Sequence, residues 1–196
     1  MFNQNTSPKN KRTLGFSLIE MLLVLGVLAV LLLAAFVVYP RVRDASRANA
    51  EVSHLALMKA AVSNLYASKN GNYEELDNEV ANKARVFPVT MNGGDYTTTT
   101  LTSSWGGNVR VSPSPELTSP QRIAVNRAFL VTYERVPESV CLGMISGASD
   151  NFFKITINNV DVITARNGAK PTLDMDSFTM RCTTAPAPPT VSFYSE

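Results

Sequence analysis

Few side chains in this sequence stand where solvation alone would not explain them. Glu20 is one: it is the sole acid within residues 11–40, and it heads a run, residues 21–38, with no charged or strongly polar side chain. A carboxylate in hydrocarbon costs about 2.5–3.5 kcal/mol on insertion scales, so it needs a partner or a route to the headgroups. Cys141 and Cys182 are the two cysteines, and His54 is the one histidine. His54 falls on a helical amphipathic pattern, where a solvated or satisfied imidazole is expected rather than a general base. With a single histidine, histidine-rich metal sites cannot be assembled. Asp174 and Asp176 offer carboxylates to a cation, but without further oxygen ligands beside them they read as a solvated turn. No phosphate loop or nucleotide fingerprint is present. The expectation is a protein that is not an enzyme, with no cofactor and no metal.

The apolar run sets the organisation of the chain. At 1.5 Å rise per residue, residues 21–38 approach the roughly 30 Å of a bilayer core, so they read as a membrane segment. From residue 41 the composition turns globular, with mixed charge, short apolar alternations and frequent Gly, Pro and Asn. The formal charge of +2 resides in Lys9, Lys11 and Arg12; beyond Pro40 the bases and acids cancel. Nucleic-acid binding therefore has no global electrostatic footprint. Arg41, Arg43 and Arg47 follow the run as closely as those three bases precede it, which leaves the positive-inside rule undecided. In a domain held outside the cytoplasm, one cysteine pair is most simply a disulfide, Cys141–Cys182, worth about 4 kcal/mol in the chain-entropy model; two buried free thiols are the alternative.

A secretory signal cut after the run, at a small-residue site such as Ala34-Ala35, would discard Glu20 unused. A cut between Gly15 and Phe16 keeps it, and a residue without a side chain lets backbone enter a protease cleft closely. The order Lys11-Arg12-Thr13-Leu14-Gly15, then Phe16-Ser17-Leu18-Ile19-Glu20, then a hydrophobic helix, resembles a type IV prepilin. The resemblance implies that a prepilin peptidase cleaves after Gly15 and N-methylates Phe16. It also implies that Glu20 pairs with the amino terminus of a neighbouring subunit, Phe16 of the adjacent chain, during assembly.

Val52, Leu55, Met58, Val62 and Leu65 recur at helical spacing, and Asn70-Gly71-Asn72 is a stop, so one helix is expected from residue 16 to about 69, through Pro40. Residues 71–107 read as irregular, with a polar edge strand at 97–100. Strands are expected at 108–111, 128–134, 151–157, 160–165, 177–182 and 190–194, a tight hairpin at Asn158-Asn159, a short helix at 137–144, and an extended linker at 183–190. The disulfide would then join that helix to a late strand. Trp105-Gly106-Gly107 before a strand resembles the bundle-forming and conjugative thin-pilus pilins of the type IVb class, and Trp105 is expected as a core or seam anchor. Phe16 is the first residue usual in type IVa, whereas domain size, cysteine placement and Val37 favour type IVb.

The fold expected is α+β: a long amino-terminal helix, hydrophobic then amphipathic, packed on an antiparallel sheet. Residues 1–15 are expected as leader, 16–40 as transmembrane and filament-core helix, 41–70 as the amphipathic half, and 71–196 as the globular, disulfide-bounded region. The resemblance implies the structural subunit, a major pilin, of a helical homopolymer serving adhesion, aggregation or mating contact. The expected partners are the prepilin peptidase, an inner-membrane platform, an assembly ATPase and a secretin. The chain would reside in the inner membrane as prepilin and then in a surface pilus. A minor pilin or secretion pseudopilin, or a membrane-anchored extracytoplasmic binding domain, are the alternatives.

Overall fold

The computed structural model describes residues 17–117, 122–164, 172–184 and 188–196. Gly15, Phe16 and the basic leader, with parts of the expected 160–165 strand and 183–190 linker, lie outside them. Contacts divide the chain into two units, one ending at Pro40 and one comprising Arg41–Glu196.

In the first unit the described residues beyond Ser17 belong to α1, which spans Leu18–Leu65 and carries Glu20 in its first turn and Pro40 inside it. Among the described residues, α1 is the one helix long and apolar enough to cross a membrane; its most apolar window has a mean hydropathy of 3.2 and none of it is buried. Leu22, Leu25, Leu28, Leu32 and Phe36 are all exposed.

The second unit is built around the remainder of α1. Ala48, Glu51, Leu55, Met58, Val62 and Tyr66 recur every three or four residues and are all buried, the spacing of one helical face. Tyr66 takes the last place on this stripe where the sequence spacing points to Leu65, which is 39% exposed. The helix gives way to a 3-10 turn, Ala67–Lys69, capped by Asn70 in the left-handed region.

Seven strands form one sheet in the order β1-β2-β3-β7-β4-β5-β6. They are β1 (Leu101–Thr102), β2 (Asn108–Pro113), β3 (Phe129–Tyr133), β4 (Lys154–Ile157), β5 (Val160–Thr164), β6 (Thr172–Leu173) and β7 (Val191–Ser195). Every neighbouring pair is antiparallel. β7 lies between β3 and β4, with Val131 and Ile155 both opposite Phe193. Asn158 and Asn159, at φ 49° and 64°, join β4 to β5, the positive-φ pair that a two-residue type I′ hairpin requires.

Three local expectations are corrected. Residues 177–182 are not a strand: they lie in α5 (Met175–Thr183), which Asp174 caps by accepting from the Ser177 N–H. Phe178 and Cys182, four apart, form its buried face, so a helical period underlies the β-rich composition. The stretch 71–107 also holds two short helices, α2 (Asn78–Lys83) and α3 (Val89–Asn92). Asp77 caps α2 through the Val80 N–H at 2.7 Å. The edge strand is residues 101–102 rather than 97–100.

Two asparagines on α2 organise the segment between α1 and the sheet. Buried Asn82 donates to the carbonyls of Asp95 and Thr98 and accepts from Asn92 Nδ2. Asn78 donates to the Val109 carbonyl at 3.1 Å and accepts from the Val111 N–H at 2.8 Å. Its amide thus does for two backbone groups of β2 what a longer neighbouring strand would.

The helix expected at 137–144 is α4 (Glu138–Ala148), longer than that range, with Pro137 as its N-cap. It crosses α1 through small residues. A Cβ on Gly143 would lie 2.7 Å from Ala48 Cβ, and one on Gly147 would lie 3.1 Å from Val52 Cγ2. Ser139 Oγ donates to Asp44 at 2.6 Å on the same crossing. Gly143→Ala should therefore lower the unfolding free energy by about 1–3 kcal/mol through overpacking, read as a lower midpoint in urea at unchanged slope.

Candidate functional site

The first candidate region is the amino-terminal part of α1. Gly15 and Phe16 are outside the described residues, so Glu20 is the member of that set whose place is seen. It sits in the first turn of α1, exposed, where a negative charge is favoured by the unpaired amide dipoles of a helix start. The described side chains around it are apolar and equally exposed: Leu18 is 78% and Ile19 73% accessible. Nothing among the described residues brings Glu20 to a base, a nucleophile or another acid. Its setting is that of an exposed charge at the head of an exposed apolar surface.

The second region is the disulfide. Cys141 on α4 and Cys182 on α5 are joined, with Cα atoms 5.9 Å apart and a separation of 41 positions in sequence. Both are buried. The bond therefore ties helix to helix rather than helix to strand, and the loop it closes contains β4, β5 and β6. Closing a loop of that length contributes about 4 kcal/mol in the chain-entropy model.

A third region has a buried polar centre that the sequence reading passed over. Glu51 is 1% exposed in the middle of the apolar stripe of α1. Its Oε1 accepts from the Ser104 N–H at 3.1 Å, and its Oε2 lies 3.4 Å from His54 Nδ1. This is the role of the only histidine: it faces a structural carboxylate one turn away. Ser104 belongs to the turn before β2, where Ser103 Oγ bonds the Gly107 N–H and the Trp105 indole donates to the Glu134 carbonyl at 3.1 Å. A Cβ on Gly107 would fall 1.9 Å from that same carbonyl oxygen, so this close approach excludes a side chain. Trp105 stacks against Tyr133 with ring centroids 5.7 Å apart, an anchor of the seam between α1 and the sheet. The signal for Glu51 was present in the sequence as an acid three positions after Ala48 and four before Leu55 in the apolar stripe.

Tyr133 completes this centre. It is fully buried, and its hydroxyl makes no hydrogen bond of ordinary geometry among the described residues. Burial first, and the negative charge of Glu51 second, push its pKa well above the usual tyrosine value.

The remaining candidates show no assembled chemistry. Asp174 is spent on capping α5, and no group of three or more His, Cys, Asp or Glu that could hold a metal occurs among the described residues. An open depression of about 450 Å³ between α2 and β2 is lined by Asp77, Glu79, Thr99 and Arg110 among others, but its polar groups include no paired nucleophile and base.

The described residues thus combine an exposed apolar helix segment with an antiparallel sheet domain packed on the continuation of that helix. A family model described as PilS N terminal matches residues 45–196, and one described as prokaryotic N-terminal methylation motif matches residues 10–36. The chain belongs to the PilS N-terminal family and is a type IV pilin, a structural class and not an enzyme class. No curated protein matches it. Among solved structures it is similar to a type IV b pilin from Salmonella typhi, with a TM-score of 0.47 and 19% identity over 72% of this chain and 96% of that one. It is also similar to TcpA, a type IV pilin from Vibrio cholerae El Tor biotype, with a TM-score of 0.46 and 17% identity over 79% of this chain and 99% of that one.

The pH dependence of stability follows from Tyr133. Its folded-state pKa is raised, so its contribution is fully present below the unfolded value of about 10 and is lost as pH climbs from there towards the folded value. Tyr66 and Tyr73 are raised too, chiefly by burial. Tyr133→Phe should be near neutral at pH 7, because the hydroxyl it removes makes no hydrogen bond of ordinary geometry among the described residues. Above about pH 10 it should lose stability less steeply than the parent chain, with a residual slope from the other two tyrosines. Urea midpoints across that range would measure both slopes, and equal slopes would remove Tyr133 from the account.

Proposed function

We propose that this chain is the major subunit of a type IVb-like pilus. The observation that carries this reading is the exposed apolar surface of α1 before Pro40, with Glu20 at its head, in a chain whose other unit buries its own core. Residues 1–15 are the leader, residues 16–40 the segment that lies first in the inner membrane and then in the filament core, and residues 41–70 and 71–196 the amphipathic half-helix and globular region displayed outside. The prepilin peptidase cleaves between Gly15 and Phe16 and methylates the new amino group. In the filament Glu20 pairs with the Phe16 amino group of the adjacent subunit, which offsets the cost of holding a carboxylate in apolar surroundings and sets axial register. The inner-membrane platform, assembly ATPase and secretin act on this chain as on other type IV pilins. The displayed sheet domains then serve adhesion, aggregation or mating contact, and Cys141–Cys182 hardens that exterior.

The test is the intact mass and amino-terminal sequence of this chain in sheared surface material, alongside a Glu20→Ala strain. The expected result is an abundant chain beginning at N-methylated Phe16, and a variant that keeps its soluble domain folded yet yields few or no filaments. A correctly processed chain that is sparse in the filaments would make it a minor pilin or pseudopilin. A start at Met1, or downstream of Ala35, would leave an anchored or secreted binding domain instead. Normal filaments from the Glu20→Ala strain would refute the pairing.

A further inference from the structure

Arg41, Arg43 and Arg47 form a cluster that assembly through Glu20 does not use and that the fold engages only through Asp44. They follow the apolar run directly, after Phe36 and Tyr39, whose rings are 75% and 68% exposed. Arg41 and Arg43 are exposed and Arg47 half-buried. At 1.5 Å rise per residue the three occupy about 9 Å of helix, close to the 5–8 Å of headgroup layer on each side of a bilayer core. Arg43 and Arg47 are four apart and share a face, while Arg41, two positions earlier, points away from them. The three guanidinium groups therefore point to two sides of the helix instead of forming a single stripe.

Their charge is only partly answered within the chain. Asp44 is the acid among them; its carboxylate takes the Ser139 hydroxyl at 2.6 Å and stands 3.9 Å from both Arg43 Nε and Arg47 NH1. No ion pair reaches Arg41, and none of the three guanidinium groups donates a hydrogen bond, among the described residues. Planar forks of N–H donors left unused beside an apolar span suit the paired oxygens of a phosphate. Aromatic rings on the adjoining turns suit the boundary between hydrocarbon and headgroup.

We infer that Arg41, Arg43 and Arg47 form a collar that binds the phosphates of anionic phospholipids where α1 leaves the membrane, holding the unassembled subunit at a fixed depth. This rests on the membrane-resident stage of the proposed function. Lipid release then accompanies a subunit's departure from the bilayer, which makes extraction dependent on the anionic lipid content and on ionic strength.

The test uses the full chain in nanodiscs of phosphatidylcholine with and without phosphatidylglycerol, released into native mass spectrometry to count the retained lipids. Phosphatidylglycerol should be retained in preference to phosphatidylcholine, less so as salt rises. The triple variant Arg41→Gln, Arg43→Gln, Arg47→Gln should lose roughly fivefold of that preference per arginine. The triple Lys variant should keep part of it, because charge survives and the bidentate fork does not. An intact disulfide and unchanged far-ultraviolet circular dichroism would show that the variants are folded. Equal retention of the two lipids by the parent chain, or an undiminished preference in the Gln variant, would overturn the inference. So would a Gln variant that keeps its lipid preference but loses cross-linking between chains, since the arginines would then meet acids of a second copy. A chain that does not enter nanodiscs at all would instead overturn the membrane-resident stage, and size exclusion tells the two failures apart.

Discussion

The apolar surface of α1 ahead of Pro40 has no cover among the described residues, and the remaining features make sense as answers to that constraint. Burying apolar area is worth roughly 25 cal/mol per Å², so side chains such as Leu22, Leu25 and Leu28 cannot be left in water without aggregation. They need an apolar environment outside the described residues. A carboxylate at the head of such a surface is costly in hydrocarbon unless it meets a partner or reaches the headgroups. That is why one acid, Glu20, carries more information than the eighteen apolar residues after it.

The second unit solves a different problem, which is to grip the polar-sided continuation of the same helix firmly. It does so with contact of three kinds. Small residues on α4 let two helices approach closely at Gly143 and Gly147. The disulfide then fixes α4 to α5. Glu51 supplies the third contact by drawing the Ser104 turn against the helix. A buried carboxylate is a poor source of net stability, but removing one partner of such a set leaves the other unsatisfied, so it penalises any other alignment of the turn on the helix.

How much of this was legible in the sequence depends on range. The long helix, its stop at Asn70 and the Asn158-Asn159 hairpin rest on local periodicity and turn chemistry, and the chain displays both openly. α5 was hidden because Phe178, Thr179 and Thr183 favour strands, and its helix is decided by the Asp174 cap and by burial of Phe178 and Cys182 against the sheet. α2 is only six residues long, too short for a periodic pattern, and its structural value lies in side-chain amides reaching carbonyls up to 31 positions away. Glu51 was readable as an anomaly in the stripe, but its partner Ser104 is 53 positions distant, and no local rule could supply it. The basic leader, Gly15 and Phe16 rest on sequence alone.

The place of β7 carries a consequence for the order in which the sheet forms. β1, β2 and β3 form one half of the sheet and β4, β5 and β6 the other, and β7 alone hydrogen-bonds to both halves. The keystone is therefore the strand that leaves the ribosome after the other six. Until residues 191–195 are available the two halves share no backbone ladder, so the sheet cannot close from its amino-terminal side as the chain emerges. Contacts of such long sequence separation are slow to form. The two halves can each form their own ladders, but the sheet becomes continuous only once its last strand is delivered.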